Sequence, residues 1–484
     1  MTYDFSFLKK KKFYNVYLFF FFLIISFSLY FRSLNNFFVL DDFTFIKASS
    51  AGSLAANFHF FPIPLLIYRI VYLIFGLNPV PVRCLNLVLN ASVCVVVCNL
   101  SYRIFQLFGK EEDDNARILK SFLCGLIFSL LFIHVETVIY FSELHEMLFT
   151  LFYALALYFY FTFRLNKQRK YSIFLILFYA LSLFSKESAV TLVLCIFLSE
   201  IFLFKNKVAG FLSGYYHLLG VTFLFVLIRL FFFSKFDKLD YTFNLIAIVK
   251  EIFKNIVFAF TAFWASLDFT YLKDLYKTGD ADIVIIFKSV LEHYPVAIVV
   301  VLISFLLYIL MFIKRDKIIS VSFVFIFIAI SSFVWLTGYE RYMYLPSIGF
   351  CIMIIQFSFK TPAGSRNLKI FVFALLIIFS LYNIYSLIQK EENWKRASEI
   401  SFETISQIVS ITKELPAGSE VYFKDLPGDY KGAWILRDGI HEVPEFFVKR
   451  NDIKFYYFYE MPVIEKIPNN VYVYDYSDGK IYAK

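Results

Sequence analysis

The sequence predicts a polytopic α-helical membrane protein with a small α+β domain at its C-terminal end. Three observations predict it. The 484-residue chain is 60% hydrophobic with a mean hydropathy of +0.68, well above a soluble domain. Its apolar residues fall in runs, many reaching the roughly 18–20 residues that cross a bilayer. From about residue 389 these runs stop, and short strand-like segments between Pro- and Gly-containing turns take over.

At the N-terminal end, Lys9, Lys10, Lys11 and Lys12 precede the apolar run Phe13–Phe31. The run is long for a secretory signal and no small-residue cleavage site follows. The expectation is an uncleaved first span with its basic end in the cytoplasm. Further spans are expected at 84–107, 118–139, 146–163, 171–184, 188–204, 213–233, 295–313, 318–336, 342–359 and 370–388, about eleven in all. Segment 60–77 is apolar but is broken by Pro62 and Pro64 and carries Arg69. It reads as an interfacial helix within the first external loop, 32–83.

Segment 246–266 decides the topology. If it does not cross fully, one set of loops faces the cytoplasm: Lys110/Arg117/Lys120, Arg164/Lys167/Arg169/Lys170, Lys205/Lys207, Lys314/Arg315/Lys317 and Lys360/Arg366/Lys369. If it crosses once, the last two clusters move outside. The positive-inside rule favours the first arrangement, with 246–266 re-entrant or returning near 281–291. The N-terminus is then cytoplasmic and the C-terminus extracytoplasmic, and the membrane module, 1–388, precedes an external domain, 389–484.

In that domain Glu391, Glu392, Trp394, Lys395 and Arg396 open a helix to about 413, stopped by Pro416 and Gly418. Strands are expected at Val421–Lys424, Ala433–Leu436, Phe455–Tyr459 and Val471–Tyr476.

Several function classes fall away. The net charge of +9 sits largely in short loops between apolar runs, where it sets topology, so nucleic acid is not an expected partner. Cys84, Cys94, Cys98, Cys124, Cys195 and Cys351 lie in or beside apolar runs with no ligand-like spacing. They read as small core residues and not as a disulfide or zinc framework. There is no internal repeat, phosphate-binding loop or dinucleotide fingerprint, and the small C-terminal domain has no nucleophile motif.

The stretch Phe37–Ile46, FFVLDDFTFI, carries adjacent carboxylates, Asp41 and Asp42, just after the first span. Charge this close to hydrocarbon is costly and marks a functional site, against the plainer reading of a solvated turn. The expected topology puts four polar clusters on the external face. They are this loop, the Glu143–Glu146 turn, Ser185-Lys186-Glu187 and Tyr339-Glu340-Arg341-Tyr342. An acidic pair and an arginine on one membrane face suit sugar transfer from a polyprenyl phosphate. A carboxylate takes the proton of the attacking hydroxyl, a guanidinium steadies the departing phosphate, and in-line attack inverts the anomeric carbon. A fixed arginine suffices for a monophosphate leaving group, so no cofactor is required, and a divalent metal is left open. In an extended loop neighbouring side chains diverge, so only one aspartate acts as base and the other contacts substrate or orients the loop. His134 and Glu136 do not share a helix face, which argues against a two-ligand metal site. His59, His145, His217, His293 and His441 are scattered and are given no role.

FFVLDDFTFI resembles the first external loop of GT-C membrane glycosyltransferases. It is nearest to the O-mannosyltransferase branch that carries tetratricopeptide repeats and to repeat-free bacterial relatives. FPIPLLIYRIVYLIFGLNPVPVRCLNLVLN is similar to that branch's loop and second span, with Asn86 at its Asn position. LFIHVETVIYFSELHEMLFTLFYALAL resembles its His-x-x-Glu span, FSKESAVTL its Lys-Glu turn, and GYERYMYLPSIGF its Glu-Arg-Tyr…Pro-Ser-x-Gly segment. These matches cover roughly residues 13–390 in the family's order. DLPGDYKGAWILRDG (Asp425–Gly439) resembles C-terminal domains of bacterial members. The chain departs from the family at Arg83 and Asn90, where His is usual, and at Ile63-Pro64, where Arg-Pro is usual. Donor and acceptor specificity is therefore not carried over.

The resemblance implies a glycosyltransferase of the inner membrane of a bacterium. Its partners would be membrane lipids, a polyprenyl-phosphate-linked sugar donor and a glycan, lipid or protein acceptor. It makes Asp41 the favoured base beside Asp42, and Arg341 and Arg229 the donor-phosphate ligands. Asn86, Glu136, Glu143, Glu146, Lys186, Glu187 and Glu340 would line the site. The plainer readings are snorkelling arginines, Arg341 paired with Glu340, and a Lys186–Glu187 ion pair tying two helix ends. An alternative function is a transporter or flippase of a lipid-linked glycan, which would show internal repeats and helices broken in mid-membrane. A third is a noncatalytic member whose C-terminal domain binds a partner.

Overall fold

The computed structural model describes residues 13–56, 59–109, 113–232, 261–264, 306, 316–331, 339–360, 366–436, 439–457, 460 and 470–483. Lys9–Lys12, the expected span 295–313 except Leu306, the possible return at 281–291, residues 332–336 and all of 246–266 except 261–264 lie outside them. Among the described residues, five helices are long and apolar enough to cross a membrane: Tyr14–Ser33, Val80–Phe108, Phe141–Asn166, Val208–Phe232 and Asn367–Thr412. Asp114–Leu130 and Phe132–Ile139 make a sixth if taken as one span bent by 56°. The chain gathers into two compact units. One comprises residues 1–29, 86–138 and 143–387, the other 30–85, 139–142 and 388–484. The second unit thus contains most of the loop that follows the first span as well as the C-terminal region.

The helices, in chain order, are α1 (Tyr14–Tyr30), α2 (Asp42–Ser50), α3 (Pro62–Phe75), α4 (Val80–Phe108), α5 (Asp114–Leu130) and α6 (Val135–Ile139). They continue with α7 (Leu144–Asn166), α8 (Arg169–Leu183), α9 (Thr191–Leu198), α10 (Val208–Phe232), α11 (Lys317–Ser331), α12 (Pro346–Phe359) and α13 (Arg366–Thr412).

The first unit is helical. α7 and α8 form a hairpin closed at Lys167, which adopts a left-handed conformation at φ 56°. Phe159 on α7 stacks on Phe174 and Phe178, one turn apart on α8, at 5.0 and 5.4 Å between ring centroids. That i, i+4 spacing places both rings on one helix face. α12 packs on α11 and on α5. A Cβ at Gly349 of α12 would lie 2.8 Å from Ile326 and 3.0 Å from the Ser322 carbonyl, so glycine permits this approach. A Cβ at Gly125 would clash with Cys98 Sγ. Cys94, Cys98, Cys124, Cys195 and Cys351 are buried and unbridged, as small core residues.

Three expected spans are less regular than their composition suggests. The run 118–139 bends at Leu131, where the Phe132 N–H donates not to the helix but to Asn383 Oδ1 at 3.2 Å. The run 188–204 divides into a 3₁₀ turn (Glu187–Val190), α9 and a π turn (Ser199–Leu203). α10 kinks at Tyr215 (φ −130°, ψ 16°), just after Ser213-Gly214.

The second unit holds α2, α3, the first turns of α4 and the last half of α13. Its two-residue strands β1 (Ala55–Ala56) and β2 (His59–Phe60) pair antiparallel. The C-terminal region adds β3 (Glu420–Lys424), the small hairpin of β4 (Asp429–Tyr430) and β5 (Ala433–Trp434), β6 (Lys454–Tyr457), β7 (Val471–Ser477) and β8 (Lys480–Ala483). The main sheet runs β6-β3-β7-β8. β3 is parallel to both β6 and β7, and β7 and β8 are antiparallel. The β7–β8 turn is Asp478-Gly479, with φ of 47° and 78°, the two positive values a tight hairpin requires.

The expected span 370–388 and the expected helix opening at Glu391 are one element, α13, of 47 residues. No Pro or Gly interrupts 366–412, so nothing in the backbone ends the helix where its composition turns polar. From 394 onward Trp394, Ala397, Ser398, Ser401, Ile405, Ile408 and Thr412 are buried, a helical stripe facing the second unit's core. The helix stops before Pro416, and Gly418 turns the chain at φ 78°.

Candidate functional site

In the second unit, the loop preceding α2 is fixed along its backbone. The Arg83 guanidinium donates to the Phe37 carbonyl at 3.2 Å and to the Asn36 carbonyl, and its Nε to the Ile139 carbonyl at 3.2 Å. The Phe37 N–H donates to Ser398 Oγ at 2.5 Å, and Ser401 Oγ donates to the Phe38 carbonyl at 2.8 Å. The Leu40 N–H donates to the Ile435 carbonyl at 2.9 Å, and the Asp41 N–H to the Tyr140 hydroxyl at 2.9 Å. Leu40 itself is strained, at φ 43°. A Cβ at Gly439 would lie 2.4 Å from the Leu40 carbonyl, so only glycine lets that segment lie against the loop. Nearly every backbone polar group of 36–41 thus has a named partner, and the loop is held in one conformation.

The two aspartates differ in environment. Asp42 is fully buried; its Oδ2 accepts the Val39 N–H at 3.0 Å and its Oδ1 the Ser142 N–H at 2.9 Å. Burial pushes its carboxyl up to about 7, against the Arg83 guanidinium and the two backbone donors, which pull it down. Asp41 caps α2 with helical dihedrals (φ −68°, ψ −11°), and its side chain is half-buried. The segment is a helix start and not the extended loop expected, so the divergence argument for separating the two side chains does not apply. Burial separates them instead: only Asp41 has solvent access.

In the first unit, the bend after α5, Glu143 at the start of α7 and the 3₁₀ turn at Glu340–Met343 gather charged groups. Arg341 NH1 lies 3.3 Å from Glu136 Oε1, its backbone N–H donates to Glu136 Oε2 at 3.1 Å, and its Nε lies 3.4 Å from Glu143 Oε1. The Arg341 side chain is only 11% exposed. Lys186 is paired with Glu146 and sits 4.5 Å from the Tyr342 ring centroid. Arg341 also lies over the Tyr339 and Tyr342 rings. Removing one member of a buried set such as this costs about 3–5 kcal/mol, because it leaves an uncompensated charge.

Of the residues singled out in the sequence, Arg341, Glu136, Glu143, Glu146 and Lys186 come together. Arg229 and Glu187 pair with each other at 2.7 Å, both about a quarter exposed. Asn86 is fully buried and donates to the Val138 carbonyl at 3.2 Å, a tie between α4 and the end of the bent segment. Glu340 begins the 3₁₀ turn before Arg341, but Arg341's ion pairs run to Glu136 and Glu143. His134 stands apart from Glu136: its Nε2 meets Ser347 Oγ at 2.8 Å and its ring lies between Phe128 and Tyr344.

Sequence reasoning missed three things. His145 joins Glu143 and Glu146, one donor atom from each lying within 4.8 Å of the others. Its signal was the Glu-x-His-Glu spacing across a turn. Arg83, read only as a departure from a family pattern, anchors the aspartate loop. Glu200, in the π turn, accepts the Tyr160 and Tyr215 hydroxyls at 2.8 and 2.9 Å with Arg164 3.4 Å away. Neither a family model nor a curated protein matches the chain.

Proposed function

We propose that the chain is an integral membrane glycosyltransferase that moves a sugar from a polyprenyl-phosphate donor to an acceptor hydroxyl at the extracytoplasmic face. The observation that carries the reading is the division between the two aspartates. Asp42 has both oxygens engaged by backbone N–H groups and is fully buried, while Asp41, beside it on a clamped loop, is only half-buried. A general base needs that combination of fixed position and access to the acceptor proton. Asp41 is the base and Asp42 the residue that positions it.

Arg341 supplies the phosphate-binding guanidinium, aimed by Glu136 and Glu143. Arg229, paired with Glu187, is a second donor-phosphate ligand, and Lys186, Glu340 and Asn86 belong to the surroundings. The arrangement proposed is of eleven spans, with the N-terminus cytoplasmic and the C-terminal region outside a bacterial inner membrane, as the basic loops favour. The acceptor is a glycan, a lipid or a protein.

The test is mass spectrometry of cell-envelope glycans in a strain lacking the gene, complemented with the wild-type or the Asp41→Asn copy. A glycan species present with wild type and missing with Asp41→Asn supports the reading. Restoration by both copies rejects Asp41 as base.

One observation favours a second reading. The bend of 56° after α5 and the divided segment 187–203, with Glu200 buried in its π turn, support broken helices of the kind expected of a transporter or flippase. Export of a lipid-linked glycan that continues with Asp41→Asn and stops with Glu200→Gln would favour it.

A further inference from the structure

We propose that Glu143, His145 and Glu146 form a binding site for a divalent first-row cation of the Mn²⁺ or Zn²⁺ class. One donor atom from each lies within 4.8 Å of the other two. Ligands of a single such ion sit about 2.0–2.2 Å from it, so its donor atoms lie within roughly 4.4 Å of each other. Closure by a few tenths of an ångström completes the set. His145 Nε2 and Glu143 Oε2 are 3.9 Å apart, too far for a hydrogen bond and within the spacing of two ligands on one ion.

A second, independent observation points to a cation. Glu143 Oε2 and Glu146 Oε1 are both buried and have no hydrogen-bond partner among the described residues. The other oxygen of each is engaged: Glu143 Oε1 faces Arg341 Nε at 3.4 Å, and Glu146 Oε2 faces Lys186. Each carboxylate therefore has one oxygen held by a basic side chain and one left over. A buried polar atom without a partner is costly, about 1–3 kcal/mol, and calls for an explanation such as an unseen ion.

A divalent ion on the leftover oxygens displaces neither basic side chain, because Arg341 and Lys186 hold the other oxygen of each carboxylate. His145, as a metal ligand, is neutral.

The donor set decides the class of ion. One imidazole nitrogen and two carboxylate oxygens suit Mn²⁺, Fe²⁺ or Zn²⁺ better than Ca²⁺ or Mg²⁺, which prefer oxygen throughout, and no thiolate is present for Cu⁺. The turn supplies the geometry. Glu143 ends a 3₁₀ turn and caps α7, so 143, 145 and 146 converge in a way that three residues within a regular helix would not.

The site stands or falls apart from sugar transfer, because its test reads metal and not turnover. Tag-free full-length protein in nanodiscs is stripped with chelator and titrated with Mn²⁺, and bound ion is followed by electron paramagnetic resonance. The expected result is one tightly bound Mn²⁺ per chain, displaced by Zn²⁺, with nitrogen hyperfine coupling from one imidazole. His145→Ala should remove the coupling and weaken binding at least ~10-fold, as should Glu146→Gln for binding. His441→Ala should change neither. Absence of stoichiometric Mn²⁺ and Zn²⁺ binding overturns the proposal. So does a wild-type spectrum without nitrogen coupling, which decides the matter even if the variants fail to insert. Coupling that persists in His145→Ala overturns it equally.

Discussion

The Asp42 carboxylate accepts the backbone N–H of Ser142 at 2.9 Å across 100 residues of sequence. With its other oxygen on the Val39 N–H, it joins the start of α2 to the turn at 139–142. A carboxylate used this way is a fastener. Its neighbour Asp41 shares the fixed backbone but not the buried environment, so substitution at the two positions should have different consequences.

Asp42→Asn turns one acceptor oxygen into an NH₂ group facing a backbone N–H. One buried donor is then left without a partner, at about 1–3 kcal/mol. The variant should melt several degrees below wild type when followed by tryptophan fluorescence in nanodiscs. Asp41→Asn should melt with the wild type and lose turnover on the order of 10²–10⁴-fold, with donor binding nearly intact at saturating lipid donor. The opposite pattern, with a cold-shifted Asp41→Asn and a stable, inactive Asp42→Asn, would reassign the base.

The pH dependence follows from the same residue. Burial raises Asp42 to about 7, whereas an unfolded aspartate titrates near roughly 3.9. A raised carboxyl means that the fold favours the protonated form. Its contribution is complete below about 4 and is lost as pH rises through about 7. Thermal midpoints of the wild type should therefore fall between pH 5 and pH 8, and the fall should be shallower in Asp42→Asn, which cannot titrate there. Equal slopes in the two proteins would show that Asp42 is ionised throughout that range.

Much of this was legible in composition. The helical character, the apolar runs and four of the strands follow from hydrophobic patterning, since long apolar runs have few alternatives to helix. Where helices break was less legible. Nothing in LLFIHVE announces that Asn383 will take the Phe132 N–H and bend the segment there. The continuity of α13 was readable, because no helix breaker lies between 366 and 412, but a change of composition was mistaken for a change of element. β8 was missed although Asp478-Gly479 is a strong hairpin signal. At the aspartate loop the residues stood out through their charge. Their division of labour did not, because it depends on Arg83, Ser398, Ser401 and Ile435, whose roles arise from tertiary contact alone.

The topology makes a separate prediction. A periplasm-active reporter fused after Lys484 should give signal, and a cytoplasm-active one should not, because that parity keeps the basic loops inside. A cytoplasm-active fusion that succeeds there would remove Arg341 from the proposed external chemistry. It would also imply a full crossing within 233–315, most of which lies outside the described residues.

Arg341 allows packing and phosphate binding to be told apart. Its NH1 and Nε reach different glutamates, Glu136 at 3.3 Å and Glu143 at 3.4 Å, a fork that a single ammonium cannot reproduce. Arg341→Ala leaves two buried carboxylates short of a cation, and about 3–5 kcal/mol of stability should go with it. Its loss of activity would then be ambiguous, since a poorly inserted protein is inactive for any reason. Arg341→Lys keeps the charge and most of the apolar stem, so it should insert and melt close to wild type. It should nonetheless turn over roughly 10²-fold more slowly, as expected when a donor to the developing phosphate charge is lost. Both variants should be assayed for turnover of a polyprenyl-phosphate sugar at saturating donor, and by melting in the same nanodiscs. A stable Lys variant with unchanged turnover would show that the guanidinium serves only to hold Glu136 and Glu143. A stable Lys variant that is slow would assign Arg341 to the leaving group.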